Sequence, residues 1–161
     1  RTYTLPSEAH WERAARGVDG RTYPWGNEWQ DGRCHVSKEG VASVKLYPAQ
    51  IEHGGQGVYD LVGNAPEWTR TIWGLEPQEP RYLQPWQDDG RDDLGANSQM
   101  RRIVRGGAAS DPPEKLRCAA RSSTLPLQPG PFGKRHGFRV MMVLGPDRPA
   151  DSFCGSEGSS A

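Results

Sequence analysis

An α+β fold, irregular and rich in ordered loops, is what this sequence predicts, and three observations predict it. The 161 residues include 20 glycines and 14 prolines. About a fifth of the chain therefore favours turns, short of the roughly 25–30% that marks low-complexity disorder. Six tryptophans argue against disorder, because such rings are buried wherever a chain can bury them. Hydrophobic content is only 34%, and the apolar residues gather in short runs suited to brief strands and one amphipathic helix. The expected product is a single domain with an aromatic core.

The helix comes first. Ser7 is a good N-cap, Glu8 suits the first turn and Gly17 is a C-terminal stop. Ala9, Trp11, Ala14 and Ala15 form the expected buried stripe, and His10 faces solvent. Tyr23-Pro24-Trp25-Gly26-Asn27 reads as a tight aromatic turn. Residues 30–56 read as mostly loop, with a short strand over 42–47. Residues 57–61 lead into a loop from Asp60 to Glu67, and residues 68–73 are extended. Residues 74–100 form a polar surface excursion that carries Asp88, Asp89, Asp92 and Asp93. Residues 102–107 make a strand ending in a glycine pair, residues 116–121 a second strand, residues 130–134 a loop, and residues 137–143 the closing strand. The Gly-, Ser- and Asp-rich stretch 146–161 reads as a disordered tail, which leaves 1–145 as the domain.

Twenty basic and 20 acidic residues cancel, which argues against a dedicated nucleic-acid binder, where a basic surplus is usual. No apolar run approaches the about 18 residues of a membrane helix. No signal peptide is visible, but the chain opens on Arg1, so a preceding segment is expected and the compartment stays open, with the cytoplasm favoured. There is no internal repeat, P-loop or dinucleotide fingerprint. Cys34, Cys118 and Cys154 lack metal-type spacing. Unpaired structural thiols, a disulfide and a catalytic thiol all remain open for them.

The richest segment is Gly57-Val58-Tyr59-Asp60-Leu61-Val62-Gly63-Asn64-Ala65-Pro66-Glu67-Trp68-Thr69. It offers two carboxylates and several loop carbonyls, and calcium takes six to eight oxygens of that mixed kind. The alternative is that Asp60 and Glu67 cap turns or pair with arginines. Four phrases in order carry a resemblance. They are residues 5–17 (Leu-Pro-Ser-Glu-Ala onward), Tyr23-Pro24-Trp25-Gly26, residues 57–69, and Val104-Arg105-Gly106-Gly107 with Arg121 and Gly137-Phe138-Arg139-Val140. Together they resemble the formylglycine-generating enzyme (sulfatase-modifying factor) family over residues 3–143. The resemblance implies a loop-rich variant of the C-type lectin fold with bound calcium. It also implies that this is the C-terminal part of the domain, within a longer polypeptide. In the family, the strand over 138–143 pairs with an early strand, so its partner here is missing or supplied by other residues.

Carried over by position, the resemblance assigns structural calcium to Asp60 and Glu67 through side chains and to Gly63 and Ala65 through carbonyls. Pro66 stands where many members have tryptophan, and alters the loop slightly. A second family calcium site falls on residues 33–40, where His35 replaces an asparagine and no aspartate follows, so that site is expected to be lost or altered. The family's copper-binding cysteines follow the Arg-Gly-Gly phrase. None lies between Gly107 and Cys118, and a serine such as Ser110 cannot replace a thiolate on Cu(I). Formylglycine-generating activity is therefore not expected. A non-heme iron branch needs converging histidines, whereas His10, His35, His53 and His136 are scattered. A third branch uses the fold as a binding frame, and its ligand-facing positions fall on Ser110, Asp111, Glu114, Ser122, Ser123, Thr124 and His136. Arg121 and Arg139 read as structural, tying loops to carboxylates or carbonyls. The expected function is a calcium-stabilised ligand- or protein-binding domain without catalytic residues, its partner a protein or peptide. The alternative is the substrate-binding half of a metal-dependent oxidoreductase.

Overall fold

The computed structural model describes residues 1–53, 56–127 and 136–144. The expected loop 130–134, the tail 146–161, Cys154 and the side chain of His53 lie outside the described residues. In chain order the elements are β1 (Thr2–Thr4), α1 (Glu8–Arg16), β2 (Ile51–His53), β3 (Gln56–Val58), β4 (Glu67–Gly74) and β5 (Arg101–Arg105). A single 3-10 turn (Pro113–Lys115), β6 (Ser122–Thr124), β7 (Gly137–Phe138) and β8 (Met141–Val143) follow. Among the described residues they form a four-stranded sheet, ordered β6-β5-β4-β7, and two ribbons, β1-β8 and β2-β3.

Helix α1 forms as its residues dictate. The Ser7 hydroxyl accepts the His10 N–H at the N-terminus, and Gly17 closes the helix with φ 67° and an N–H to the Arg13 carbonyl. Its buried face differs from the expected stripe. Glu8, Trp11 and Ala15 are buried, whereas Ala9 is half-buried and Ala14 exposed. Positions 8, 11 and 15 recur at helical spacing, and the glutamate on that face has partners deep in the fold.

The core gathers Trp11, Ala15, Cys34, Leu61, Val62, Leu116 and Cys118, with Trp25 and Trp29 packed against it. Tyr23 stacks on Trp25 at 5.6 Å and meets Trp29 edge-on at 5.4 Å. Short strands suffice because these rings, rather than long sheets, fill the interior. Strand β4 alternates burial along its length and pairs with β5 on one side and β7 on the other.

Three strand expectations fail. Residues 42–47 are a turn, with Lys45 at φ 64° and its N–H on Asp60 Oδ2 at 2.8 Å. Residues 116–121 are also turned. The Cys118 N–H goes to the Thr22 carbonyl at 2.8 Å, and the strand begins only at Ser122. The closing strand is broken in two. β7 runs parallel to β4, and β8 pairs with β1, placing Thr2 opposite Val143 and Thr4 opposite Met141. The partner of the closing segment is thus supplied by the first residues of this chain. The β2-β3 ribbon, which begins in the expected loop 30–56 and runs to Val58, was not anticipated.

Candidate functional site

Two neighbouring features hold most of the side chains assigned to the site. The first is the Asp60–Glu67 loop. Leu61 and Val62 anchor it in the core while Asp60, Gly63 and Asn64 turn it through left-handed backbone, with φ 52°, 78° and 60°. Gly63 is required there, since a Cβ would sit 2.6 Å from the His35 carbonyl. Asn64 braces the loop over it. Its Oδ1 accepts the Ala42 N–H at 2.9 Å and its Nδ2 donates to the Ala42 carbonyl at 3.3 Å. The Gly63 N–H reaches the Gly106 carbonyl at 2.9 Å, so the loop is tied to the glycine pair after β5. His35 is occupied elsewhere, its Nε2 lying 2.8 Å from the Gly40 carbonyl.

Glu67 opens β4 and is paired with an arginine. Arg139 Nε donates to Oε2 at 2.5 Å and Nη2 to Oε1 at 2.6 Å. Trp11 Nε1 donates to Oε2 at 2.7 Å. Arg139 Nη2 also reaches the carbonyls of Tyr59 and Asp60, each at 3.2 Å. One guanidinium therefore closes the loop on itself, as expected of Arg139.

Whether calcium also fits depends on the lone pairs that remain. A carboxylate has about four acceptor sites. Oε2 of Glu67 takes two donors and Oε1 takes one, while Oδ2 of Asp60 takes the Lys45 N–H. The carbonyls of Tyr59, Asp60, Val62, Asn64 and Pro66 accept hydrogen bonds, whereas those of Gly63 and Ala65 accept none among the described residues. Oδ1 of Asp60, the Gly63 and Ala65 carbonyls, and Oε1 of Glu67 thus retain acceptor capacity, a mixed oxygen set that suits calcium. Among the described residues no three His, Cys, Asp or Glu side chains converge as a metal cluster. A cation here would depend on the two carbonyls.

The second feature is a cavity of about 300 Å³ over the sheet. It brings together Asp111, Ser122, Ser123, Thr124 and His136 of the expected ligand surface. Ser110 and Glu114 are exposed and lie outside its lining. Pro66, Val104, Lys115 and Arg121 also line it, and were not assigned to it from the sequence. Strand β6 carries the serines and threonine because it pairs with β5, Ser122 opposite Val104 and Thr124 opposite Arg102. Asp111 Oδ2 accepts the Ala108 N–H at 2.8 Å, which sets the turn after the glycine pair. The His136 ring tilts against Trp68 at 5.2 Å.

Behind the cavity lies a buried charge network, of which sequence reasoning foresaw only the structural role of Arg121. Glu8, 1% exposed, accepts Arg105 Nη1 at 3.0 Å, Arg121 Nε at 2.7 Å, Arg121 Nη2 at 2.9 Å and Gln84 Nε2 at 3.1 Å. Arg105 continues to Glu12 at 2.7 Å and to the Cys118 carbonyl at 2.5 Å, with its guanidinium over the Trp11 ring. Burial pulls the Arg105 pKa down, and Glu8 and Glu12 oppose that pull. The signal available in the sequence was a glutamate three residues before the buried Trp11, on the helix's inward face.

Cys34 and Cys118 are free thiols inside the core. Burial, and then the nearby Asp60 charge, pushes Cys34 up to about 11. Burial pushes Cys118 up to about 12 against the opposing charge of Arg105. Neither is a thiolate at neutral pH, the form that binds soft metals.

The family model for the sulfatase-modifying factor enzyme 1-like domain matches residues 1–144. The chain belongs to this family. Among relatives of this sulfatase-modifying-factor domain, the inactive C-alpha-formylglycine-generating enzyme 2 of Bos taurus is 34% identical over 141 residues, covering 76% of this chain and 45% of the relative. The formylglycine-generating enzyme of Bos taurus is 30% identical, covering 76% of this chain and 35% of that enzyme. The serine/threonine-protein kinase Pkn1 of Chlamydia trachomatis is 33% identical, covering 84% of this chain and 20% of the kinase. The chain therefore spans less than half the length of these relatives. Treponema denticola variable protein 1 superposes with a TM-score of 0.56 at 22% identity, covering 86% of this chain and 46% of that one. PvdO from Pseudomonas aeruginosa gives the same score and identity, with 51% of its chain covered. These likenesses show a shared loop-rich α+β fold.

Proposed function

We propose that this chain is a binding domain of the sulfatase-modifying-factor family that has lost the copper oxidase and presents the β6 cavity to a ligand or protein partner. The observation that carries the reading is the chemistry around the segment after the Arg-Gly-Gly phrase. No cysteine lies between Gly107 and Cys118, and both described thiols are buried and protonated. The cavity offers hydroxyl, ammonium, carboxylate and imidazole groups instead. A rigid frame presents such groups at low entropic cost. The inactive bovine relative supports a non-oxidase role, and the similarity to part of a protein kinase supports use as one module of a longer polypeptide.

Calcium is the structural ion in this reading, held by Asp60, Gly63, Ala65 and Glu67 while Arg139 keeps its pair with Glu67. The test has two arms. Elemental analysis of the full chain after gentle dialysis is expected to give about one calcium per chain and no stoichiometric copper or iron. Copper-supplemented protein mixed with a cysteine-containing sulfatase-motif peptide is expected to leave that cysteine unoxidised. Formylglycine in the peptide would overturn the binding reading, and stoichiometric iron would favour the oxidoreductase half.

A further inference from the structure

The geometry points to a carboxylate as the group the β6 cavity recognises, an inference that rests on reading that cavity as a binding site. Its walls are rich in uncommitted donors. Ser122, Ser123 and Thr124 bring three hydroxyls to it, and none of the three has a hydrogen-bond partner among the described residues. Arg121 spends Nε and Nη2 on Glu8, which leaves Nη1 without a bond among the described residues. Lys115 stands exposed at the lining, its ammonium without a hydrogen bond or ion pair among the described residues. Asp111 is already engaged, its Oδ2 holding the Ala108 N–H.

Charge favours the same ligand. Glu8 serves both Arg105 and Arg121, and Glu12 serves both Arg105 and Arg16. In the lining itself two cations, Lys115 and Arg121, stand against one carboxylate, Asp111, and Arg121 shares Glu8 with Arg105. An incoming carboxylate meets that positive excess and accepts from the hydroxyls and from Arg121 Nη1. Charge-assisted bonds of this kind are the strong ones. Val104 and Pro66 form an apolar wall beside the donors. A cavity of about 300 Å³ is at the small end for ligand sites, a size for two or three methylenes ending in a carboxylate rather than a large cofactor. The side chain of a glutamate in a partner protein and a free dicarboxylate share this chemistry.

Amide shifts of the full chain, followed by NMR, test the idea with three peptides and one small molecule. The peptides are a hexapeptide with a central glutamate and its glutamine and lysine counterparts, and the small molecule is glutarate. Saturating shifts at Ser122, Ser123 and Thr124 with the glutamate peptide, glutarate or both are expected. Response to glutarate alone assigns a small ligand, and response to the peptide alone assigns a protein side chain. Lys115→Glu, at an exposed position that leaves the Glu8 network intact, is expected to weaken binding roughly tenfold. The Lys38→Glu control is expected to leave binding unchanged. Equal binding of the glutamine or lysine peptide would overturn the carboxylate assignment while keeping the cavity as a binding site. Shifts with none of the probes would overturn both.

Discussion

Replacing Glu67 with alanine separates what Arg139 contributes to the loop from what a metal contributes. The substitution strips Trp11 Nε1 of its acceptor, on a ring that is 0% exposed. An orphaned buried donor costs about 1–3 kcal/mol. It also breaks the pair with Arg139, and removing one partner of a fully buried pair costs about 3–5 kcal/mol. Here the two side chains are 24% and 9% exposed, so the lower end applies. The penalties overlap in the same carboxylate, and about 4 kcal/mol in total is expected in chelator. For a domain of this size that lowers Tm by about 10 °C. If calcium binds the loop, the wild type gains a further ~2.7 kcal/mol at a hundredfold excess over Kd, and the variant gains much less. Thermal unfolding in chelator and in calcium reads both terms. Glu67→Gln, which keeps an acceptor for Trp11, serves if the alanine variant does not fold. A loss below about 1 kcal/mol in chelator would refute the account of the arginine pair. An equal calcium response in variant and wild type would remove Glu67 from the ion's ligands.

Glu8→Ala leaves Arg105 and Arg121 without their shared carboxylate, and chemical denaturation is expected to show a loss of about 3–5 kcal/mol. The exposed pair Arg16–Glu12 shares the helix, and substitution of Arg16 is expected to cost only about 0.3–1 kcal/mol. Cys34 and Cys118 are expected to resist iodoacetamide at pH 8 and to react at once in denaturant, because burial keeps both protonated. Their folded pKa values, about 11 and about 12, lie above the ordinary thiol value of 9.0. The unfolded chain therefore loses protons first as pH rises, so the stability associated with these thiols is intact below pH 9 and declines from there toward 11–12. Replacing both cysteines with alanine is expected to flatten that alkaline decline in a pH series of unfolding midpoints.

Helix α1 was legible because its cap, its stop and its spacing are local signals, carried by Ser7, Gly17 and Trp11. Strand β5 was legible because Ile103 and Val104 are β-branched and apolar, suited to burial between two neighbouring strands. The turn over 42–47 was not legible. Val44 and Leu46 look like strand residues yet are 75% and 64% exposed, since distant side chains, Asn64 and Asp60, hold that segment. Leu116 and Cys118 mimic a strand's alternation, because both are buried, while the backbone between them turns. The closing strand breaks where Arg139 turns to Glu67, a partner 72 residues away. At the site, the family phrases pointed to the Asp60–Glu67 loop and to five of the residues lining the cavity. The share of Arg121 and Lys115 in that cavity was hidden, because Arg121 is held by Glu8 on α1, which packs against β4 and β5, and Lys115 is placed by the 3-10 turn.

The β1-β8 ribbon ties the beginning of the described fold to its end, Thr2 facing Val143. On a ribosome, β1 emerges before the other described elements, and its partner β8 follows only after most of the described fold is synthesised. Its pairing closes a very long loop, although each doubling of loop length adds only about 0.6 kcal/mol of entropy cost. Arg139 and Gly137, which engage Glu67 and Pro66, arrive just before β8 and bring it back toward β1. The closing segment thus fastens the Asp60–Glu67 loop and the opening strand together, and a nascent chain stopped short of Arg139 lacks both closures at once.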